Sequence, residues 1–102
     1  MARVVVTGRA SADVAEIVVH LTEHAGHHVA ARYLNEFDAV FDRLAAFPRI
    51  GPTRPALGRS ARVVLVDPYV IVYDHVDDTV TVLRILHGRR NITRGLVRET
   101  ER

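Results

Sequence analysis

The spacing of apolar residues changes once along this chain of 102 residues. Up to Phe47, apolar side chains recur at helical spacing, as in helices that bury one face. After Ala61 the chain consists of short runs rich in β-branched residues, which is typical of strands. A segment rich in Pro and Gly, from Pro48 to Ala61, separates the two parts. The chain is therefore expected to pack helices against a sheet.

Turn and cap signals divide these parts into elements. The run from Arg3 to Thr7 predicts a first strand, and Ser11 predicts the N-cap of a first helix that Gly26 ends. A second helix is predicted from His27 to Phe47, where Pro48 stops it. Three more strands are predicted at 62–66, 69–75 and 79–86, with links short enough for an antiparallel meander. The predicted fold is α+β and two-layered, in the order β-α-α-β-β-β, with a helical hairpin on one face of a mainly antiparallel sheet.

The length fits a single domain over residues 1–102, whose polar tail at 91–102 predicts a short helix or a frayed end. The chain has no Cys, which excludes disulfides and thiolate ligands, and no Lys, which excludes Schiff-base chemistry. No signal peptide and no uncharged apolar run of about 20 residues is found. A cytoplasmic protein with no membrane partner is expected.

Charged residues are segregated along the chain. Six acids and two Arg lie between Ala10 and Phe47, whereas four Arg and no acid lie from Arg49 to Arg62. Five more Arg and no acid lie from Arg84 to Arg98. Such a basic half is expected to meet phosphates or an acidic protein segment.

Two features of the predicted strands suggest a partner. Both faces of the meander are apolar, but two helices cover only one face, so we expect a partner segment or a second copy on the other. Arg84 lies within an apolar strand, where an unpaired charge is costly. It is expected to pair with a carboxylate such as Asp74, or with one from the partner.

An ordered set of short motifs resembles the RelE/ParE superfamily of type II toxins over residues 3 to 91. The motifs are Ala10-x-x-Asp13-Val14-x-x-Ile17, Ala31-x-Tyr33-Leu34, Leu44-x-x-Phe47-Pro48-x-x-Gly51, Arg62-Val63-x-x-Val66, Tyr69-x-Ile71-x-Tyr73 and Val82-x-Arg84-Ile85-Leu86-His87-Gly88-Arg89-Arg90. The final His-Gly-Arg-Arg is closer to the ParE branch than to the RelE branch.

This resemblance implies a growth-inhibiting toxin, of the kind that stabilises plasmids, in a hetero-oligomer with a cognate antitoxin. The ParE branch inhibits DNA gyrase by protein contact and uses no catalytic residue, cofactor or metal of its own. The expected target-binding residues are Arg84, Arg89, Arg90 and Arg94. The expected antitoxin-binding residues are Arg62, Val64, Tyr69, Ile71, Tyr73 and Arg84.

The alternative is a RelE-like endoribonuclease that cuts mRNA on the ribosome. This chain has Val70 and Leu96 where that branch often has a basic residue and a Tyr. The remaining candidates for RNA cleavage are Arg62, Tyr73, His87 and Arg90. His20 and His24 have a spacing compatible with metal binding, but a surface cluster is the simpler interpretation and no metal is expected.

Overall fold

A computed structural model describes residues 1–99 of the chain. The elements are β1 (Arg3–Val6), α1 (Gly8–Ala25), α2 (His27–Ala46), β2 (Ala61–Val66), β3 (Tyr69–Val76), β4 (Thr79–His87) and α3 (Arg94–Arg98). A single 3₁₀ turn, Pro55–Leu57, interrupts the long connection between α2 and β2. The predicted α+β class and the order of the strands and the helical hairpin are confirmed. Residues 100–102, the end of the predicted polar tail, lie outside the described residues.

The four strands form one mixed sheet in the order β1-β4-β3-β2. The three C-terminal strands pair antiparallel, as their short turns predict, and β1 pairs parallel to β4. The parallel pair is possible because the whole hairpin α1–α2 and the strands β2 and β3 lie between β1 and β4 in sequence. The sheet is thus antiparallel except at its β1 edge.

The first helix begins earlier than predicted, because Thr7 and not Ser11 is its N-cap. Thr7 is held in extended conformation by pairing beyond the end of β1, where its N–H donates to the carbonyl of Val82 at 3.1 Å. Its hydroxyl oxygen accepts from the N–H of Ala10 at 3.1 Å, as an N-cap side chain does. Ser11 lies inside the helix, where its N–H donates to the carbonyl of Thr7 at 2.9 Å.

The helical hairpin packs on one face of the sheet and forms the larger core. Its central side chains are Phe37, Val40 and Leu44 of α2, which contact a layer of strand residues. The buried strand residues in this core are Val66, Tyr69, Ile71, Tyr73, Val80, Val82 and Ile85. The apolar residues that recur at helical spacing along α2 include Leu34 and Phe47, but these two are not buried. Leu34 is 38% exposed at the edge of the stripe, and Phe47 is 63% exposed because it lies beyond the end of the helix.

The second face of the sheet is partly covered by the chain itself. Leu57 from the 3₁₀ turn and Val97 from α3 pack with Val63, Val70 and Val72 in a second core. The expectation that a partner alone would cover this face is therefore wrong for its centre. At the margin of this face Leu65 remains 68% exposed.

A buried ion pair joins α1 to β4. Beyond the end of β1, α1 takes the place of a strand beside β4, and Asp13 of α1 faces that open edge. The Asp13 carboxylate accepts from Arg84 Nε at 2.8 Å, from Arg84 Nη2 at 3.0 Å and from the N–H of Ile85 at 3.0 Å. Arg84 thus pairs with Asp13 and not with Asp74, which corrects the expected partner.

Asp74 instead binds Arg98 and anchors the C-terminal helix. Arg98 donates from both terminal nitrogens to the two oxygens of Asp74, at 2.6 and 2.8 Å, and from Nε to the carbonyl of Leu57 at 2.9 Å. Arg84 adds a bond from Nη1 to the carbonyl of Leu96 at 3.0 Å. Two arginines from the basic half therefore hold the protein's own tail against the sheet.

Removing the acid of the buried pair is expected to destabilise the fold strongly. In Asp13→Ala, the Arg84 guanidinium stays buried without a counter-charge, which costs about 3–5 kcal/mol. Urea unfolding measures this loss, and Glu16→Ala on the exposed side of the same helix is expected to stay within about 0.5 kcal/mol of the parent.

A double-mutant cycle tests whether the two residues act together. Asp13→Ala is expected to cost much less in an Arg84→Leu background, since no charge is then left unpaired. Strictly additive costs of the two substitutions would contradict the assigned pairing.

Candidate functional site

A cleft lies between α1 and the C-terminal end of β4. It has a volume of about 250 Å³ and carries charges of both signs. Its lining residues are Asp13, Glu16, Ile17, His20, Tyr69, Ile85, Leu86, His87, Arg89 and Arg90. Arg89 and Arg90 are exposed at its rim, directly after β4 ends at His87. The cleft is therefore one place where arginines of the basic C-terminal half are accessible to a target.

The segment after β4 is held by backbone bonds. The N–H of Gly88 donates to the carbonyl of Pro68 at 2.7 Å, and the N–H of Arg90 donates to the carbonyl of His87 at 3.0 Å. A Cβ atom at position 88 would lie 3.0 Å from the Pro68 oxygen, closer than most Cβ contacts, so Gly suits this approach. The two exposed arginines are thus presented from a fixed turn.

His87 has a defined orientation in the cleft. Its Nδ1 accepts from the N–H of Arg89 at 3.2 Å, and its ring meets the edge of Tyr69 with centroids 5.7 Å apart. An imidazole that accepts at Nδ1 carries its proton on Nε2 when neutral. In this arrangement Nε2 is a donor, so the ring is not set up to act as a general base through that atom.

The four predicted target-binding arginines are divided by burial. Arg89, Arg90 and Arg94 are exposed, whereas the Arg84 side chain is only 5% exposed. The hydrogen bonds that Arg84 donates to Asp13 raise the pKa of Arg84 above its usual value. Its predicted contacts with target or antitoxin remain predictions, and both require its ion pair to open.

The predicted antitoxin-binding residues are likewise mixed. Tyr69, Ile71 and Tyr73 are buried beneath the helical hairpin, where Tyr69 also contacts the edges of Tyr33 and Phe37. Val64 and Arg62 on β2, an edge strand, are partly buried. The side chains of β2 are therefore nearer to an incoming partner than those of β3.

The four candidates for RNA cleavage do not meet in one place. Tyr73 is fully buried, its hydroxyl donates to the carbonyl of Pro48 at 2.8 Å, and burial raises its pKa. Arg62 lies opposite Tyr73, whereas His87 lies opposite Tyr69. Four residues of a strand span about 13 Å, so these two pairs occupy different ends of the sheet.

The histidines at the helix junction form two close ring pairs, of which the His20–His24 pair is stacked and the His27–His28 pair is tilted. The rings of His20 and His24 lie 4.3 Å apart, and His24 Nδ1 contacts the carbonyl of His20 at 2.8 Å. His27 and His28 form a second pair at the start of α2. Within residues 1–99, no three acidic or imidazole side chains converge as metal ligands. Within the same range, no helix has the length and apolar character needed to cross a membrane.

Comparisons with known proteins place this arrangement among toxins of type II toxin–antitoxin systems. The family described as "ParE toxin of type II toxin-antitoxin system, parDE" matches residues 4–92. The chain is 37% identical over 100 residues to Toxin ParE3 of Caulobacter vibrioides, which covers 98% of this chain and 100% of that protein.

A solved structure, "Chromosomal ParDE TA system from P. aeruginosa", has the same fold. It aligns with a TM-score of 0.73 at 20% identity, over 85% of this chain and 96% of that chain. Together with the family match, this likeness confirms the resemblance to the RelE/ParE superfamily. The chain belongs to the ParE toxin family, as its His-Gly-Arg-Arg ending at 87–90 predicts.

Sequence reasoning missed the partners of two arginines. Asp13 lies three positions after the buried Ala10, which puts both residues on the same face of α1. Arg98 is followed within the tail by further polar residues, and nothing in that pattern points to Asp74. The spacing of Asp13 from buried Ala10 was the one available signal.

Tyr73→Phe separates a structural role from a catalytic one. The substitution removes the acceptor of the Gly51 N–H, which lies 3.1 Å from the Tyr73 oxygen, and is expected to cost about 1–3 kcal/mol in urea unfolding. Toxic activity per folded molecule is expected to stay unchanged. A complete loss of activity in a folded Tyr73→Phe protein would contradict this assignment.

The same variant has a pH signature. Burial raises the pKa of Tyr73 in the folded state, so stability is fully present below about pH 10, the usual Tyr value, and falls as pH rises above it. Tyr73→Phe is expected to make this fall shallower, and Tyr69, whose pKa burial also raises, accounts for part of what remains.

Proposed function

We propose that this ParE-type toxin inhibits DNA gyrase by protein–protein contact and that a cognate antitoxin neutralises it. The observation that carries the first part is the pair of exposed arginines, Arg89 and Arg90, on the turn that follows β4. The family match supports the toxin class, and the gyrase target is the proposal.

The charge of this turn is available to a target. Within residues 1–99, no carboxylate lies within 4.0 Å of the guanidinium nitrogens of Arg89 or Arg90. Arginine side chains bind carboxylates and phosphates through paired hydrogen bonds, which are stronger than bonds between neutral groups. An acidic patch on a protein target would therefore meet two guanidinium groups that have no carboxylate partner within the described residues.

The rigidity of the turn adds to this argument. Because backbone bonds from Gly88 to Pro68 and from Arg90 to His87 fix the turn, little backbone conformational entropy is lost when the arginines are bound. Contact inhibition also fits the separation of the four nuclease candidates, since Arg62 and Tyr73 lie at one end of the sheet and His87 at the other.

Neutralising the two arginines is expected to weaken gyrase inhibition. The double variant Arg89→Gln, Arg90→Gln removes two charge-assisted contacts, each typically about 1.5–3 kcal/mol, so at least about a tenfold higher toxin concentration is expected for half-inhibition of supercoiling. The control is Arg32→Gln, Arg43→Gln on the exposed face of α2, with the same change in charge.

The same experiment tests the RNA-cleaving alternative. Cells that express the parent toxin are expected to show DNA damage signalling with intact mRNA. Codon-linked mRNA cuts that disappear in Arg90→Ala would instead support ribosome-dependent cleavage. Equal potency of the double variant and the control would contradict the proposed role of the turn.

The antitoxin is proposed to cover the apolar margins that the chain leaves exposed. Val19 on α1 and Leu34 on α2 are 58% and 38% exposed, and Leu65 on β2 is also exposed. Acidic antitoxin residues would then pair with Arg62, Arg89 and Arg90 around these patches. At the sheet itself the antitoxin would meet the β2 edge, since α3 and the 3₁₀ turn already occupy the centre of the second face.

Val64→Ala tests this docking at the edge strand. Removing two methyl groups from a partly buried contact is expected to weaken binding of the cognate antitoxin by about five- to thirtyfold in calorimetry. Val76→Ala is the control, because Val76 is the last residue of β3 and is 54% exposed. Unchanged affinity in Val64→Ala, or an equal loss in both variants, would rule out a specific role for Val64.

A further inference from the structure

A second basic concavity lies at the other end of the sheet from Arg89 and Arg90. It has a volume of about 410 Å³, and Arg49, Arg59 and Arg62 line it. It sits where β2 begins and β3 ends, because Ala61 pairs with Asp74 there, whereas His87 pairs with Tyr69 at the opposite end. The resemblance to the ParE family assigns a role to Arg62 alone among these three arginines, as an expected antitoxin contact, and the proposed gyrase contact uses none of them.

The charges of this concavity are not balanced within the described chain. Three arginines and one acid, Asp77, line it, which gives a net charge of 3 − 1 = +2 when His75 is neutral. Within residues 1–99, no carboxylate oxygen lies within 4.0 Å of a guanidinium nitrogen of Arg49, Arg59 or Arg62. By contrast, Arg84 and Arg98 are each fully paired with an acid. The positive charge of the concavity can therefore attract an anion, whereas the charges of Arg84 and Arg98 are already neutralised by their acid partners.

One of the three arginines is fixed in place without being neutralised. Arg62 donates from Nη1 to the carbonyls of Gly51 at 2.7 Å and Arg49 at 3.2 Å. Carbonyl oxygens orient the guanidinium but carry no formal charge, so the positive charge of Arg62 stays available to a ligand. Gly51 is itself fixed, because its N–H donates to the buried Tyr73 hydroxyl. The site is thus preorganised at its base, which lowers the entropy lost on binding.

The chemistry of the lining selects among anions. Ser60 contributes a hydroxyl and His75 an imidazole, which add hydrogen-bond donors or acceptors to the three guanidinium groups. A phosphate monoester carries about −1.5 to −2 charges at neutral pH and has three terminal oxygens, so it matches both the net charge and the number of arginines. A carboxylate or a backbone phosphodiester carries a single negative charge and would leave part of the positive charge unpaired.

We propose that this concavity, formed by Arg49, Arg59, Arg62, Ser60 and His75, binds a phosphate monoester group. Such a group occurs at the 5′ end of a nucleic acid strand and in free nucleotides. The site does not depend on the gyrase contact, which uses the opposite end of the sheet. Its occupant would lie beside the loop that joins α2 to β2.

Direct binding measurements with the purified full chain test this site. The probes are inorganic phosphate, thymidine 5′-monophosphate, a short oligothymidylate with a 5′-phosphate, the same strand with a 5′-hydroxyl, and hexaglutamate. The variants are Arg49→Gln and Arg59→Gln, both at exposed positions, with Arg54→Gln as the control. Arg54 is an exposed arginine of the same loop that does not line the concavity.

The expected result is that the 5′-phosphorylated strand binds about tenfold more tightly than the 5′-hydroxyl strand. Each of Arg49→Gln and Arg59→Gln is expected to remove that difference, while Arg54→Gln keeps it. Equal affinity for the monophosphate and the phosphorylated strand would identify the source as a free nucleotide. Preference for the strand would identify a nucleic acid end, and either result supports the site.

Three outcomes would overturn the proposal. Equal binding of the phosphorylated and hydroxyl strands would show only diffuse attraction to a basic surface. Tighter binding of hexaglutamate would identify a site for an acidic peptide instead. No binding of any probe at low salt would exclude an anion site. Because Arg89 and Arg90 are unchanged in all variants, gyrase inhibition is measured separately and its loss or retention leaves this result unaffected.

Discussion

The pairing of Asp13 with Arg84 is the interaction on which the arrangement of the other elements depends. A carboxylate and a guanidinium that are both almost inaccessible to water can coexist only when each satisfies the other. The pair lies where β1 ends and α1 replaces it beside β4, so it closes an edge that would otherwise expose backbone groups. Arg84 also donates to the carbonyl of Leu96, which brings the C-terminal helix to the same point.

An irregularity in β4 makes this contact possible. Tyr73 pairs with Val82 and Val72 pairs with Arg84, so Leu83 is an extra residue between the two pairs. Such an insertion re-aims the side chains beside it. Leu83 joins the second core, while the Arg84 guanidinium reaches past the sheet edge to Asp13. Because of the bulge, the single charged residue of this apolar strand, Arg84, connects β4 to α1 and to α3.

The basic residues of the C-terminal half consequently serve two different purposes. Arg84 and Arg98 are internal, and they hold α1 and α3 in place through Asp13 and Asp74. Arg89 and Arg90 remain at the surface beside the cleft, and Arg49 and Arg59 remain at the other end of the sheet. Acids and bases that are segregated along the sequence are thus partly reunited in space. Within residues 1–99, the arginines that make no such pair stay accessible to a binding partner.

The sequence alone determined the order of elements, the helical hairpin, the three antiparallel strands and the family, because hydrophobic period, turn residues and short motifs are local signals. It did not determine that Thr7 caps α1, because that role depends on pairing with Val82, 75 positions later in the chain. Nor did it determine the partner of Arg84 or the covering of the second face by Val97. These features join residues far apart in sequence, and only the tertiary structure decides which charges and apolar surfaces meet.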